Sequence, residues 1–194
     1  MNYYLIAKFI HIVGALGVFV VLGVEWLSLK NLRQASSITQ LLEWTRITSS
    51  VQRLGGISMV SILISGFYMM AVARIHADWL IVAFVSLILL GLLAAVVTGR
   101  RMAAIQQSIS KETASISPSL YRQLHQPLLW IVMQLRVAIG LGIVFLMTAK
   151  PDLIGSLVTL SLAIVLGLAS ALPVLKRGRA KSEMKETEPG LHHV

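Results

Sequence analysis

Five apolar blocks, each about long enough to cross a lipid bilayer, constrain this chain more than anything else in its sequence. They run over residues 3–29, 54–73, 79–98, 124–149 and 153–175. A hydrocarbon core of roughly 30 Å needs about 20 residues of helix, and a helix pairs all of its own backbone groups where no water can. The reading is an all-α membrane protein, a five-helix transmembrane bundle. Charge is scarce, 13% of the 194 residues against 56% hydrophobic, and it sits between the blocks. A soluble domain carries roughly a quarter of its residues as charged groups. With a mean hydropathy of +0.80, residues 1–175 read as one transmembrane domain with no separate soluble unit.

The links between blocks set the expected topology. In the first block the uncharged stretch covers residues 9–24, flanked by Lys8 and Glu25. No basic segment precedes it and no small-residue cleavage site follows, so it is expected to remain as a spanning helix rather than a removed signal. Tyr3, Tyr4 and Trp26 suit aromatic belts at its two ends. The short links at residues 74–78 and 150–152 predict two antiparallel hairpins, of helices two and three and of helices four and five. Pro173 is expected to kink or close the fifth helix. In the longer link, residues 30–53, Ile38, Leu41, Leu42 and Trp44 gather near a helical period, which predicts a helix lying along the membrane surface. In the other, residues 99–123, Met102, Ile105 and Ile109 continue the third helix beyond the bilayer. Residues 115–119, with Pro118, make the turn before the fourth.

The net charge of +9 is a matter of position rather than a nucleic-acid signature. Lys30, Arg33, Arg46 and Arg53 stand against Glu43 in the first long link. Arg100, Arg101, Lys111 and Arg122 stand against Glu112 in the second. The tail, residues 176–194, carries Lys176, Arg177, Arg179, Lys181 and Lys185 against three Glu. The two short links are balanced, Arg74 with Asp78 and Lys150 with Asp152. Five spans put all three basic segments on one side, which places the N-terminus outside and the tail in the cytoplasm of a bacterial inner membrane. No water-facing basic stripe with interleaved aromatics is left for nucleic acid. The tail is polar, lacks aromatics and is expected to be disordered. His192-His193 within it is a short metal-binding cue.

The chain has no cysteine, which excludes disulfides, thiolate metal sites, iron–sulfur clusters and cysteine catalysis. There is no phosphate-binding Gly-rich loop, no HExxH motif and no pair of acidic residues inside the spans. The two halves show no inverted repeat of the kind many transporters have. Conventional catalysis is therefore not expected.

Ionisable groups at membrane depth are costly, so each is a candidate site residue. Arg136 interrupts the fourth block about midway, where an Arg costs roughly 2.5–3.5 kcal/mol on insertion scales. Its nearest expected partner is Glu25, a couple of turns away. Arg136 either ties helices together with Glu25 and backbone carbonyls, or contacts an anion such as a haem propionate, a lipid phosphate or an anionic substrate. A shifted helix boundary would instead let it snorkel to the interface. His11 lies two turns inside the first helix, and Gly14 and Gly17 follow at three-residue steps on a face that admits another helix or a flat cofactor. His11 is either hydrogen-bonded between helices or a ligand of haem b or copper, with His76 from the outer link as its second ligand. His125 belongs to the opposite side. Gly55, Gly56 and Gly66, with Ser58, Ser61 and Ser65, mark the second helix as a closely packed central element. Gly140 and Gly142 in the fourth helix, and Gly155 and Gly167 in the fifth, allow close packing there.

Two segments carry a family resemblance. Leu5-Ile6-Ala7-Lys8-Phe9-Ile10-His11-Ile12-Val13-Gly14 in the first helix, and Met147-Thr148-Ala149-Lys150-Pro151-Asp152-Leu153-Ile154-Gly155-Ser156 between the last two, resemble a bacterial family of integral membrane proteins, domain of unknown function 2269. The first segment is also similar to the opening helix of CopD-type copper-resistance membrane domains, a likeness that implies a metal-side role for His11. The chain lacks the Cys, the Met-rich outer loops and the second intrahelical His that would go with it. The expectation is a multi-pass inner-membrane protein of unassigned function, surrounded by lipid and able to form a homo-oligomer or join a membrane partner. Two alternatives accompany it. One is a haem- or copper-binding protein using His11, His76 and Arg136. The other is a small-solute carrier or accessory subunit in which Arg136 lines a path or grips a partner or lipid.

Overall fold

The computed structural model describes residues 2–74, 77–110 and 117–186; His76, His192 and His193 lie outside them. Among these residues it is all-helical: α1 (Tyr3–Gln34), α2 (Ile38–Ala73), α3 (Asp78–Leu92), a π-helical segment (Leu93–Gly99), α4 (Arg100–Ile109), α5 (Pro118–Leu124), α6 (Pro127–Ala149) and α7 (Leu153–Glu186). Five stretches, Tyr3–Gln34, Ile38–Ala73, Asp78–Ile109, Ser119–Ala149 and Leu153–Leu172, are long and apolar enough to cross a membrane. The third is α3, the π segment and α4 in continuous succession.

Residues 30–53 do not form the surface-lying helix expected from the sequence. Instead α1 runs on to Gln34, and α2 begins at Ile38 after a three-residue turn. Ser37 starts α2 by accepting the Gln40 N–H (3.3 Å), while Gln40 Oε1 accepts the Ser36 N–H (3.1 Å), a variant of the capping box. The helical period seen in Ile38, Leu41 and Trp44 is real, but it serves packing against protein. Leu41 is 0% exposed and joins Leu32, Ile105, Ile109, Leu120 and Leu124 in one cluster. The hydroxyls of Thr45 and Thr48 are satisfied within α2 by the carbonyls of Leu41 (2.9 Å) and Trp44 (2.8 Å).

That cluster is a small cap built from the extensions of α1 and α2 with α4 and α5, all at the basic end. The same cluster continues into the spans, where Leu22 and Leu90 are 2% and Ile139 0% exposed. Water drives apolar groups together in the cap. Lipid, as apolar as the side chains themselves, gives no such drive within the bilayer.

Within the spans, close approach depends on small residues. A Cβ on Gly14 would lie 2.9 Å from Ile62 Cγ1 and 3.1 Å from the Ser58 carbonyl oxygen. One on Gly167 would lie 3.0 Å from Leu135 Cα, and one on Gly142 3.2 Å from Ala163 Cβ. The tightest pairs are accordingly α1 with α2 and α6 with α7. The α6–α7 hairpin forms as expected. Lys150 ends α6 in the left-handed region (φ 48°) with its N–H on the Leu146 carbonyl, and Asp152 accepts the Gly155 N–H at 2.9 Å to open α7. The expected α2–α3 hairpin is looser. α2 ends at Ala73 and α3 begins at Asp78, but α3 packs on α6 and α7 rather than along α2. The chain of α7 continues past Pro173 to Glu186, into the tail expected to be disordered.

Candidate functional site

The Glu25 and Arg136 side chains meet directly. Arg136 Nη1 donates to Glu25 Oε2 at 2.6 Å and to Thr98 Oγ1 at 3.2 Å, and the side chains of the ion pair are each 3% exposed. Three helices converge to make this contact. Phe19 and Leu22 of α1 pack over Gly140 of α6, where an added Cβ would be 3.6 and 3.5 Å from them, and this sets Glu25 opposite Arg136 one turn away. Thr98 comes from the π segment. A π turn carries one extra residue, which rotates the helix beyond it, and Thr98 is the buried residue of that segment.

Counting from the ends of the apolar blocks placed Arg136 near mid-bilayer and Glu25 a couple of turns away. In the structure Glu25 meets Arg136 directly rather than a couple of turns away. Because α1 and the helix leading into α6 extend into the cap, the two residues share one level. Thr98 and Gln52 lie at that end too, two positions before Arg100 and one before Arg53. The pair therefore sits toward the basic end of the bundle. Two buried charges cost several kcal/mol each in desolvation, roughly, and their attraction offsets this only with good geometry and further hydrogen bonds. The Thr98 contact is one such bond.

The pair borders a cleft. About 250 Å³ of space lies between α1, α2 and the third span, lined by Val18, Val21 and Glu25, by Gln52, Gly55, Gly56 and Met59, by Leu90, Gly91, Ala94, Ala95 and Gly99, and by Arg136. Two of its polar atoms, Arg136 Nε and Gln52 Nε2, are buried without a hydrogen-bond partner among the described residues. A buried donor left unmade costs about 1–3 kcal/mol, and more when charged, so such atoms call for an explanation. Thr98 and Gln52 were missed in the sequence. Their signal was weak: a polar residue beside the first basic residue of a span.

The remaining candidates fall elsewhere. His11 Nδ1 lies 3.1 Å from the Ile62 carbonyl oxygen and 3.2 Å from Ser65 Oγ. A carbonyl only accepts, so this nitrogen carries the proton and donates, tying α1 to α2. Gly66 makes room for the ring, since a Cβ there would be 3.3 Å from His11 Cε1. Gly14, Gly17 and Gly55 each face a neighbouring helix, Gly17 and Gly55 against Ser58 and Val21, whereas a Cβ on Gly56 would meet nothing within 4 Å. Gly56 is thus a cleft residue rather than a packing one. His125 stacks on Tyr121 at 4.0 Å within the cap. Among the described residues no three His, Cys, Asp or Glu gather closely enough to hold a metal ion. The second ligand considered for His11, His76, lies outside the described residues.

A protein-family model described as "Predicted integral membrane protein (DUF2269)" matches residues 5–151. The chain belongs to the DUF2269 family. It is an integral, multi-pass membrane protein, and the family segment contains the whole lining of the cleft and the Glu25–Arg136–Thr98 group. No curated protein and no solved structure shows a significant match. In this DUF2269 chain a second cluster braces the site from the cap side. Trp26 and Trp130 pack at 6.0 Å, the Arg33 guanidinium lies 5.5 Å from the Trp130 ring, and Arg33 Nη2 donates to the Gln126 carbonyl at 2.8 Å. This fixes the end of α1 to the α5–α6 joint and so fixes the register of Glu25 against Arg136.

Proposed function

We propose that this protein is a ligand-binding membrane protein whose working part is the cleft beside Glu25 and Arg136, and that it binds a molecule bearing a hydrogen-bond-accepting head group. The observation that supports this most directly is Arg136 itself: a guanidinium held by Glu25 and Thr98 whose Nε–H is buried and unpartnered on the wall of a cleft. Gln52 Nε2 on the same wall adds a second unused donor. A pocket of mainly apolar lining with a few converging polar groups is the usual form of a small-molecule site. The role is binding and presentation of a solute or lipid rather than chemistry upon it.

The test is thermal unfolding of protein in phosphatidylcholine nanodiscs with acetate, inorganic phosphate or dodecyl phosphate added. A ligand at a hundred times its Kd stabilises by about 2.7 kcal/mol. At least one probe is expected to raise Tm in the parent chain and to lose its effect in Gly56→Leu, which fills the cleft from a position with open space around it. No shift with any probe, or equal shifts in the variant, would remove the proposal.

The working orientation follows from the charge pattern. The cap, with Arg33, Arg46, Arg100 and Arg101, is proposed to face the bacterial cytoplasm, and the N-terminus and the Lys150 link to face outward across the inner membrane. Because the chain lacks cysteine, single cysteines report this cleanly. Asn2→Cys and Lys150→Cys should react with an impermeant maleimide on spheroplasts, and Gln107→Cys only after lysis. The reverse pattern overturns the assignment.

A further inference from the structure

The cleft reaches the surface between α2 and the third span, where two of its lining residues, Gly56 and Ala95, are exposed. The third span meets α2 in the cap, where α4 contacts α2, again where the Met59 side chain packs on Gly91 (an added Cβ there would lie 3.1 Å from Met59 Cε), and near the opposite end, where Phe84 stands edge-on to Phe67 at 5.2 Å. Between the cap and the Met59–Gly91 contact, the cleft-lining residues that face each other are Gly56 on one side and Ala94 and Ala95 on the other. Small residues on both edges keep this window clear, and Gly56 and Ala95 are exposed in it. At this level of the helices the surroundings are lipid, since Ile57, Val60 and Leu92 beside the window are exposed and apolar.

The cleft is also graded along its length. Its polar groups, Gln52, Glu25 and Arg136, cluster at the basic end, and Val18, Met59 and Leu90 line the part deeper in the bundle. Arg53 and Arg100, both exposed, follow the lining residues Gln52 and Gly99 in the chain. Three cations thus stand at that end against one carboxylate, Glu25, which is already engaged by Arg136. The volume of about 250 Å³ falls short of the roughly 300–1,000 Å³ that encloses a drug-sized ligand. It accommodates a head group and the first few carbons of a chain, with the remainder outside the window.

Resting on the ligand-binding reading above, we propose that the ligand is a single-chain or double-chain amphiphile with an anionic head. The phosphate or carboxylate accepts from Arg136 Nε–H and Gln52 Nε2–H, and the acyl chain leaves sideways between α2 and the third span into the bilayer. Exchange with the membrane then needs no opening of the bundle to water. A free anion of the same head chemistry would have to come through the cap side.

The experiment measures equilibrium binding in phosphatidylcholine nanodiscs of three probes: dodecyl phosphate, inorganic phosphate and dodecanol. Dodecyl phosphate is expected to bind saturably and at least tenfold more tightly than either of the others. Gln52→Leu removes one charge-assisted bond and should weaken it about tenfold. Arg136→Lys, which keeps the charge opposite Glu25 but lacks the Nε–H, should do the same, and Gly56→Leu should abolish it. Inorganic phosphate binding as tightly as dodecyl phosphate, with the same sensitivity to Gly56→Leu, overturns the amphiphile while leaving the cleft as a binding site. Dodecanol binding as tightly overturns the role of the head group. Failure of all three probes removes both this inference and the reading beneath it. The protein in each case is first shown to retain its parent unfolding transition without ligand, so that a misfolded Arg136→Lys is set aside in favour of Gln52→Leu.

Discussion

Arg136→Met is expected to destabilise the bundle by about 3–5 kcal/mol, since it leaves Glu25 as an uncompensated buried charge. Glu25 and Arg136 are each 3% exposed and share a 2.6 Å bond, so removing one leaves the other charge buried beside an apolar side chain. The double variant Glu25→Leu/Arg136→Met is expected to recover most of that loss. Replacing a buried ion pair by apolar residues of similar volume is often neutral or even stabilising, because the desolvation of two charges is avoided. Reversible denaturation in mixed micelles would measure all three variants, and the double-mutant cycle isolates the coupling. Additive losses in the cycle would show that the two charges do not support one another. The double variant also separates stability from function: it should be well folded yet fail to respond to any acceptor-headed ligand. A pair kept only to hold helices together would not show that split.

The second large effect concerns the α1–α2 seam. Gly14→Ala is expected to cost about 1–3 kcal/mol, the range for forcing extra atoms into a packed interior. The new methyl would press on Ile62 and on the Ser58 carbonyl oxygen, and a backbone oxygen cannot swing away as a side-chain tip can. Widening the seam would also pull His11 from its Ile62 acceptor. Gly56→Ala is the internal control. It lies on the same helix pair's edge, but nothing stands within 4 Å of its added Cβ, so its effect should stay within about 0.5 kcal/mol, as for ordinary surface changes. Unfolding curves for the two variants side by side decide the matter. Equal effects would mean that small residues of α1 and α2 are exchangeable and that the seam is not steric.

The legibility of this protein in its sequence divides along the same lines. Residues 54–73, 79–98 and 153–175 announced themselves as spans because a long run of apolar residues has one physical use in a chain with so little charge. The helical character of Met102, Ile105 and Ile109 was also readable, and α4 contains all three, buried. The error over residues 30–53 has a clear cause. Ile38, Leu41 and Trp44 make an apolar stripe that suits either a membrane surface or a protein neighbour, and periodicity reports the stripe without its occupant. Only the cap, with Leu32, Ile105 and Leu120 closing over Leu41, selects the neighbour.

The candidate site divides similarly. The cost of an Arg inside a span made Arg136 conspicuous, and Glu25 was its nearest acid by elimination. Their direct contact was one of the readings left open, because depth counted from block ends ignores where each helix ends. Here α1 runs on to Gln34 and a further helix leads into α6. Thr98 depends on a π turn that no sequence period reveals, and Gln52 resembles any polar residue at a boundary. The packing role of Gly14 and the open position of Gly56 look identical as letters. They differ because Gly14 faces α2 and Gly56 faces the cleft.

By itself, then, the sequence determined that this chain is a five-span helical membrane protein with its basic residues gathered between particular spans. Those properties follow from the solvation of individual residues, and solvation is local. The tertiary structure alone decided that Glu25, Thr98 and Arg136 meet, that α2 leans on α1 rather than on α3, and that a window remains beside Gly56. Lipid does not press apolar helices together as water does. Which helices touch is therefore left to steric fit and to the few polar groups that need partners, and both exist only once the helices are side by side.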